Sequence, residues 1–250
     1  MKKHFVFGDV HGEFSALLAS LDKAGFEPDN ENHILVSLGD NFDRGNENAQ
    51  LLEFLLKYWK LDRLLMIKGN HDDMLIDFLT RRDDGVFNAV HNGMDYTLQN
   101  LSKIVISKLL YDYPEIIIEK IRNNYPDLIK FYRDAKDEIV LGDYILTHAG
   151  YKYINKFQDW NEPIWEVNNW ANTPEFIEFF PDSPQYQGDK FYVFGHWHAF
   201  RLRWDFEGKE YDETGHIVLK NHSTFKYKNF IGLDACTNLS GFVNILVIEA

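Results

Sequence analysis

The chain has 250 residues, 45% of them hydrophobic and 26% charged, which suits a single globular domain with a well-buried core. Its formal net charge of −13 argues against a nonspecific DNA or RNA binder, so no nucleic-acid polymer is expected as partner; a phosphate-bearing substrate stays open if a metal supplies local positive charge. Cys236 is the only cysteine, the apolar run after Met1-Lys2-Lys3 stops at Gly8-Asp9, and no stretch approaches membrane-spanning length, so a cytoplasmic protein without a membrane partner is expected.

Residues 4–7 read as a short apolar strand that runs into Gly8-Asp9-Val10-His11-Gly12. Glu13 to Ala24 carries Phe14, Leu17, Leu18 and Leu21 at helical spacing, and Gly25 is placed to stop that helix. The run His33 to Leu38 predicts a buried strand ending in Gly39-Asp40-Asn41-Phe42-Asp43-Arg44-Gly45. Asn46 is the expected N-cap of a helix near 47–58 that shows Leu51, Leu52, Leu55 and Leu56 on one face. A third strand, Leu64 to Ile67, delivers Lys68-Gly69-Asn70-His71-Asp72. Asp9, Asp40 and Asn70 therefore recur about every thirty residues, each just past a strand of a βα unit, and parallel pairing would bring them to one sheet edge.

The region at about 74–135 turns mostly helical and is read as an inserted cap within one domain spanning residues 1–250, with Pro114 and Pro126 at helix starts and a polar loop over residues 81–85. Strands resume at Glu138 to Leu141 and at Tyr144 to Thr147, the latter ending in His148-Ala149-Gly150. Residues 151–189, rich in Trp, Asn and Pro, are expected to form a long, locally structured loop region. Phe191 to Phe194 predicts a strand leading into Gly195-His196-Trp197-His198. Alternating segments at 202–206, 216–219, 230–233 and 243–248 predict an antiparallel or mixed second sheet.

Collected from five strand ends, the polar residues are Asp9, His11, Asp40, Asn70, His148, His196 and His198. Mixed carboxylate, imidazole and amide donors suit Mn2+, Fe or Zn rather than Ca2+, and seven are enough for two divalent ions sharing Asp40. Paired ions clamp the attacking and leaving oxygens in phosphoryl hydrolysis; with Asp9, Asp40 and a hydroxide counted against them, a charge of about +1 would face the phosphate. Asp43 can orient a neighbour, and Arg44 can clamp a phosphate with two hydrogen bonds. His4, His33, His91, His216 and His222 are read as ordinary surface or core histidines. Trp160, Trp165 and Trp170 are read as loop packing and Cys236 as a packing residue.

The five motifs Gly8-Asp9-Val10-His11-Gly12, Gly39 to Gly45, Gly69-Asn70-His71-Asp72, His148-Ala149-Gly150 and Gly195-His196-Trp197-His198 together resemble those of the calcineurin-like metallophosphoesterases, in that family's order and spacing. Within the family the chain looks most like the phosphoprotein phosphatase branch, especially its bacterial and phage members. The resemblance implies an α/β (α+β) fold, a β-sandwich of two mixed sheets flanked by helices. It implies that Asp9, His11 and Asp40 hold a first metal and that Asp40, Asn70, His148 and His196 hold a second, with Mn2+ as the expected ion. His71 would be the general acid oriented by Asp43, and Arg44, Asn70 and His71 would contact the phosphate. The activity implied is hydrolysis of phosphomonoesters by a hydroxide held between the metals, with a Ser/Thr phosphoprotein as favoured substrate. A dinucleoside polyphosphate or another nucleotide is the alternative, and a non-catalytic phosphate-binding module is the third reading. Symmetric dinucleoside polyphosphatases typically lack the equivalents of His11 and Asp43, both present here.

Three departures from that branch stand out. Its members usually carry a second phosphate-binding arginine just after a loop tryptophan, whereas Trp165 is followed here by Glu166; Arg201 or Arg203 is the candidate substitute. They usually have Glu where Asp72 stands. Most also lack an equivalent of His198, which in the wider superfamily completes the first metal's shell.

Overall fold

Alternation along the first strand decides the layering. β1 (Lys3–Phe7) turns Phe5 and Phe7 into a cluster with Leu17, Leu21, Leu51, Leu52 and Leu55, while Val6 joins Val36, Leu38, Leu146, Val193 and Ile231 on the opposite face. The computed structural model describes residues 1–82, 85–154, 164–209, 214 and 221–250. After β1 come α1 (Phe14–Lys23), β2 (His33–Ser37), α2 (Asn48–Lys60), β3 (Leu64–Met66) and α3 (Asn70–Leu79). Both β1/β2 and β2/β3 are parallel, with Lys3 opposite His33 and Leu35 opposite Leu64, so the turns after these strands share one edge as the spacing predicts.

The helical stretch continues as α4 (Val86–Asn92), α5 (Met94–Ser102), α6 (Leu109–Asp112), α7 (Pro114–Asn124) and α8 (Leu128–Asp134). Pro114 opens α7, where its missing N–H costs nothing; Pro126 lies just ahead of Asp127, the residue that precedes α8. Leu98, Leu101, Ile117, Ile121 and Phe131 of these helices belong to the same buried cluster as Phe5 and Leu51. The remaining elements are β4 (Glu138–Leu141), β5 (Tyr144–Thr147), β6 (Tyr151–Ile154), β7 (Ile164–Val167), α9 (Thr173–Phe179), a 3-10 turn (Phe180–Asp182) and β8 (Phe191–Phe194). They are followed by α10 (Ala199–Phe206), β9 (Phe225–Tyr227), β10 (Phe230–Gly232), α11 (Thr237–Ser240) and β11 (Leu246–Glu249).

Two mixed sheets, ordered β11-β1-β2-β3 and β4-β5-β8-β10-β9, face each other across Val6, Val36, Leu146, Val193 and Ile231. The outer face of the second sheet packs Phe194 and Phe230 against Phe176, Ile177 and Leu202 of α9 and α10. The result is the expected sandwich of two mixed sheets flanked by helices. Among the described residues no helix is long and apolar enough to cross a membrane.

Several local expectations differ from what forms. Asn46 does not cap α2; the residue before that helix is Glu47, whose carboxylate is instead taken by the Ser15 amide and hydroxyl. The segment 202–206, expected as a strand, lies in α10, because Ala199, Phe200 and Leu202 all reach the core at helical spacing. The stretch 243–248 forms a strand only from Leu246, and β11 pairs with β1 in the first sheet instead of joining the second. The region 151–189, expected as a locally structured loop, carries among its described residues the antiparallel β6/β7 pair, α9 and the 3-10 turn. Trp165 fills the core as expected, whereas Trp170 is 55% exposed. The strand expected at 216–219, with His216, lies outside the described residues, as do Trp160, Asp83 and Asp84.

Candidate metal centre

Asp9, His11, Asp40, Asp43, Arg44 and His196 all have positive φ, six of the eleven non-glycine residues that do so among the described residues. Such conformations cost of order 1–3 kcal/mol each and persist only where the surroundings over-determine them. Here they turn side chains from three strand ends toward one another. Two glycines make the convergence possible: a Cβ on Gly69 would run into Asp40 Oδ1, and one on Gly195 into Asp9 Oδ2.

Asp40 is the hub. Its donor oxygens group with His11 and His71 on one side and with His148 and His196 on the other, all within 4.8 Å inside each group. Asn70 Oδ1 lies 3.0 Å from His148 Nε2 and 2.9 Å from His196 Nδ1, which adds the amide to the second group. Asp9 Oδ1 accepts the His196 amide, while its Oδ2 is buried without a hydrogen-bond partner.

The imidazoles are held from behind. His11 Nδ1 donates to the Phe42 carbonyl at 2.9 Å and His148 Nδ1 to the Leu38 carbonyl at 2.8 Å. His198 Nδ1 is fixed by Asp234 at 2.7 Å and His71 Nδ1 by Asp43 at 2.7 Å. In each the Nε2 atom is left for other business, the arrangement that metal-ligating histidines adopt. With Nδ1 turned to the Leu38 carbonyl, His148 brings Nε2 to 3.0 Å from the Asn70 oxygen, where a cation could sit between them.

Electrostatics point the same way. Burial, with Arg44 and His71 nearby, pulls His11 down to about 3, and burial with His148 pulls His196 down to about 4, so both are neutral donors near pH 7. Burial would raise Asp40, but the fields of His148, His71 and His11 hold it well below the usual carboxylate range. Asp9 is raised well above that range by burial and by the charges of Asp234 and Asp40. A buried oxygen without a partner, neutral imidazoles and an ionised shared carboxylate fit divalent cations.

His198 stands apart from both groups: its Nε2 faces Cys236 Sγ at 3.7 Å. Burial opposes its charge, yet the Asp234 hydrogen bond, with help from Cys236, carries it up to about 9. On the opposite rim the Arg44 guanidinium donates to His11 Nε2 at 2.9 Å and to His71 Nε2 at 3.1 Å. Burial also opposes charge on His71, but Asp40 and the Asp43 hydrogen bond raise its pKa. Arg203 is turned to Glu207 and the Thr224 carbonyl, and Arg201 lies by the Phe200 ring, so neither is seen at the centre.

Sequence reasoning missed three residues here. Asp234 had a usable signal, since it ends the apolar run Phe230-Ile231-Gly232-Leu233 just as Asp9 and Asp40 end theirs. Thr97 and Tyr132 had none: they reach Asp43 and Asp72 from α5 and α8 only through tertiary packing.

The family model for the calcineurin-like phosphoesterases matches residues 3–213, and the chain belongs to that family. It is similar to serine/threonine-protein phosphatase 2 of Salmonella typhimurium, 39% identical over 92 residues that cover 37% of this chain and 39% of the relative. It is also similar to an asymmetrical bis(5'-nucleosyl)-tetraphosphatase PrpE of Anoxybacillus flavithermus, 25% identical over 217 residues and 80% of each chain. The chain spans only 31–39% of the length of the bacterial serine/threonine phosphatases it matches. A solved structure described as a cold-active protein tyrosine phosphatase shares the fold, with 17% identity, a TM-score of 0.50, and coverage of 100% of this chain and 74% of that one.

Proposed function

We propose that the chain is a dinuclear metal-dependent phosphomonoesterase acting on serine/threonine phosphoproteins in the cytoplasm. The observation that carries this reading is the pair of groups that share Asp40, His11 and His71 on one side and His148 and His196 on the other, with His71 held by Asp43. Asp9, His11 and Asp40 would hold one ion; His198, steadied by Asp234, would complete that shell only after turning its Nε2 from Cys236 and giving up its proton. Asp40, Asn70, His148 and His196 hold the other. Mn2+ is the expected ion, with Fe or Zn as alternatives.

When bound, the ions supply Lewis-acid charge at the phosphoryl group and activate the attacking water. The chain's own groups do the rest. Arg44 clamps two phosphate oxygens, and the Asn70 amide and His71 add contacts. Once Arg44 turns from His71 toward phosphate, His71 Nε2 is free to carry a proton, which its raised pKa favours. It delivers that proton to the leaving oxygen while Asp43 keeps the ring in place.

The serine/threonine phosphatase relatives support a phosphoprotein substrate, and the PrpE relative, which matches over a longer stretch, favours a dinucleoside polyphosphate as second reading. Assaying one metal-loaded preparation against a phosphoserine peptide, diadenosine tetraphosphate and p-nitrophenyl phosphate decides between them. The peptide is expected to show the higher kcat/KM of the two biological substrates. A higher value for the dinucleotide would replace the substrate and keep the chemistry. No turnover of any of the three with both metals bound would leave a phosphate-binding module.

A further inference from the structure

Thr97 lies on α5, more than fifty positions from Asp43 in sequence, and is fully buried. Its hydroxyl makes two hydrogen bonds to the same residue: Oγ1 donates to Asp43 Oδ1 at 2.6 Å and accepts the Asp43 backbone N–H at 2.8 Å. The amide can only donate, so the single hydroxyl proton is directed at the carboxylate. Asp43 is itself 0% exposed, with φ of 74°, and its remaining oxygen takes His71 Nδ1 at 2.7 Å. A continuous chain therefore runs from Thr97 through both oxygens of Asp43 to the imidazole.

We infer that Thr97 is a positioning residue for the proposed reaction, acting through Asp43 to fix the orientation and tautomer of His71. The inference rests on the reading of His71 as general acid. A buried carboxylate needs donors on both oxygens, and among the described residues Thr97 is the one donor to Asp43 Oδ1. Without the hydroxyl, Oδ1 is left bare. The carboxylate then loses the constraint that aims Oδ2 at the ring, and the Asp43 amide is left with Asn48 Oδ1 at 3.2 Å. The helical insertion thus reaches the reacting centre through a named contact.

The test uses the metal-loaded protein in single-turnover kinetics with a phosphoserine peptide and p-nitrophenyl phosphate. Thr97→Val keeps the shape and removes the hydroxyl; its rate on the peptide should fall about 10–100-fold, the usual cost of losing such a supporting contact. The loss on p-nitrophenyl phosphate should be far smaller, since nitrophenolate leaves without a proton. Peptide KM and the content of two metals should be unchanged, and Thr97→Ser should recover most of the peptide rate. The downfield proton resonance of the His71–Asp43 hydrogen bond, identified by its loss in His71→Asn, should shift in Thr97→Val and return in Thr97→Ser. Thr97→Ala carries the same test if Thr97→Val does not fold.

Equal losses on both substrates, or a Thr97→Ser variant as slow as Thr97→Val, would overturn the inference. If His71→Asn itself loses equally on both substrates, the general-acid reading falls and takes the inference with it. If His71→Asn discriminates and Thr97→Val does not, only the role of Thr97 is lost.

Discussion

The Tyr132 hydroxyl donates to Asp72 Oδ1 at 3.1 Å, and the other oxygen of Asp72 accepts the backbone amides of Asp40 at 3.0 Å and Gly69 at 2.9 Å. One fully buried carboxylate thus ties α8 to both turns that present Asp40 and Asn70. Burial and the charge of Asp40 raise Asp72 to about 7, and burial with Asp72 raises Tyr132 well above its ordinary value, so the phenol remains a donor.

Tyr132→Phe should therefore cost about 1–3 kcal/mol in chemical denaturation, the price of a buried oxygen left without its donor. The protein without metal is the place to measure it, where binding energy cannot mask the loss. A midpoint equal to that of the parent would mean the hydroxyl contributes nothing.

Asp40→Asn removes the anionic ligand that both groups share. Elemental analysis should find fewer than two metals per chain, and turnover should nearly vanish. Two fully retained metals with near-normal turnover would refute the shared role.

Metal uptake should release protons from Asp9, whose pKa is raised, and from His198, raised to about 9, where it joins the shell, and none from His11 or His196, which sit near 3 and 4 and are already neutral. Apparent affinity should accordingly rise with pH until both groups have lost their protons in the metal-free protein. Calorimetry in buffers of different protonation enthalpy measures the release directly, and Asp9→Asn should reduce it. Without metal the sign reverses for stability: a carboxyl with a raised folded pKa contributes most below its unfolded value near 3.8, and that contribution is lost as pH climbs through the folded pKa. A metal affinity independent of pH would contradict this picture.

His71→Asn should cost about 10²–10⁴-fold on a phosphoserine peptide, whose alkoxide needs a proton, and far less on p-nitrophenyl phosphate. Asp43→Asn should follow the same pattern more mildly. Both comparisons require chemistry to limit the rate, which single-turnover kinetics checks. A uniform loss across the two substrates would move His71 from proton transfer to phosphate binding.

The first three site motifs were readable because apolar run, polar turn and helical face follow one another within each βα unit, and parallel pairing does the rest. Residues 202–206 misled because Leu202, Trp204 and Phe206 alternate in sequence, while the burial that decides the matter follows Ala199, Phe200 and Leu202 around a helix. The partner of β11 could not be read, since nothing local distinguishes an edge of one sheet from an edge of the other. Thr97 and Tyr132 were invisible for a related reason: a lone hydroxyl in a helix carries no periodic signal, and only the packed structure shows which carboxylate it meets.

Leu98, Leu101, Ile117 and Phe131 share one buried cluster with Phe5 and Leu51, so among the described residues helices α5, α7 and α8 pack into the core of the first sheet. The inward side of the insertion fills that cluster and supports Asp43 and Asp72, which leaves little latitude for substitution there. The outward side, where Phe87, Val90 and Tyr96 meet solvent, carries neither duty. Substitutions on that side should therefore leave the centre undisturbed.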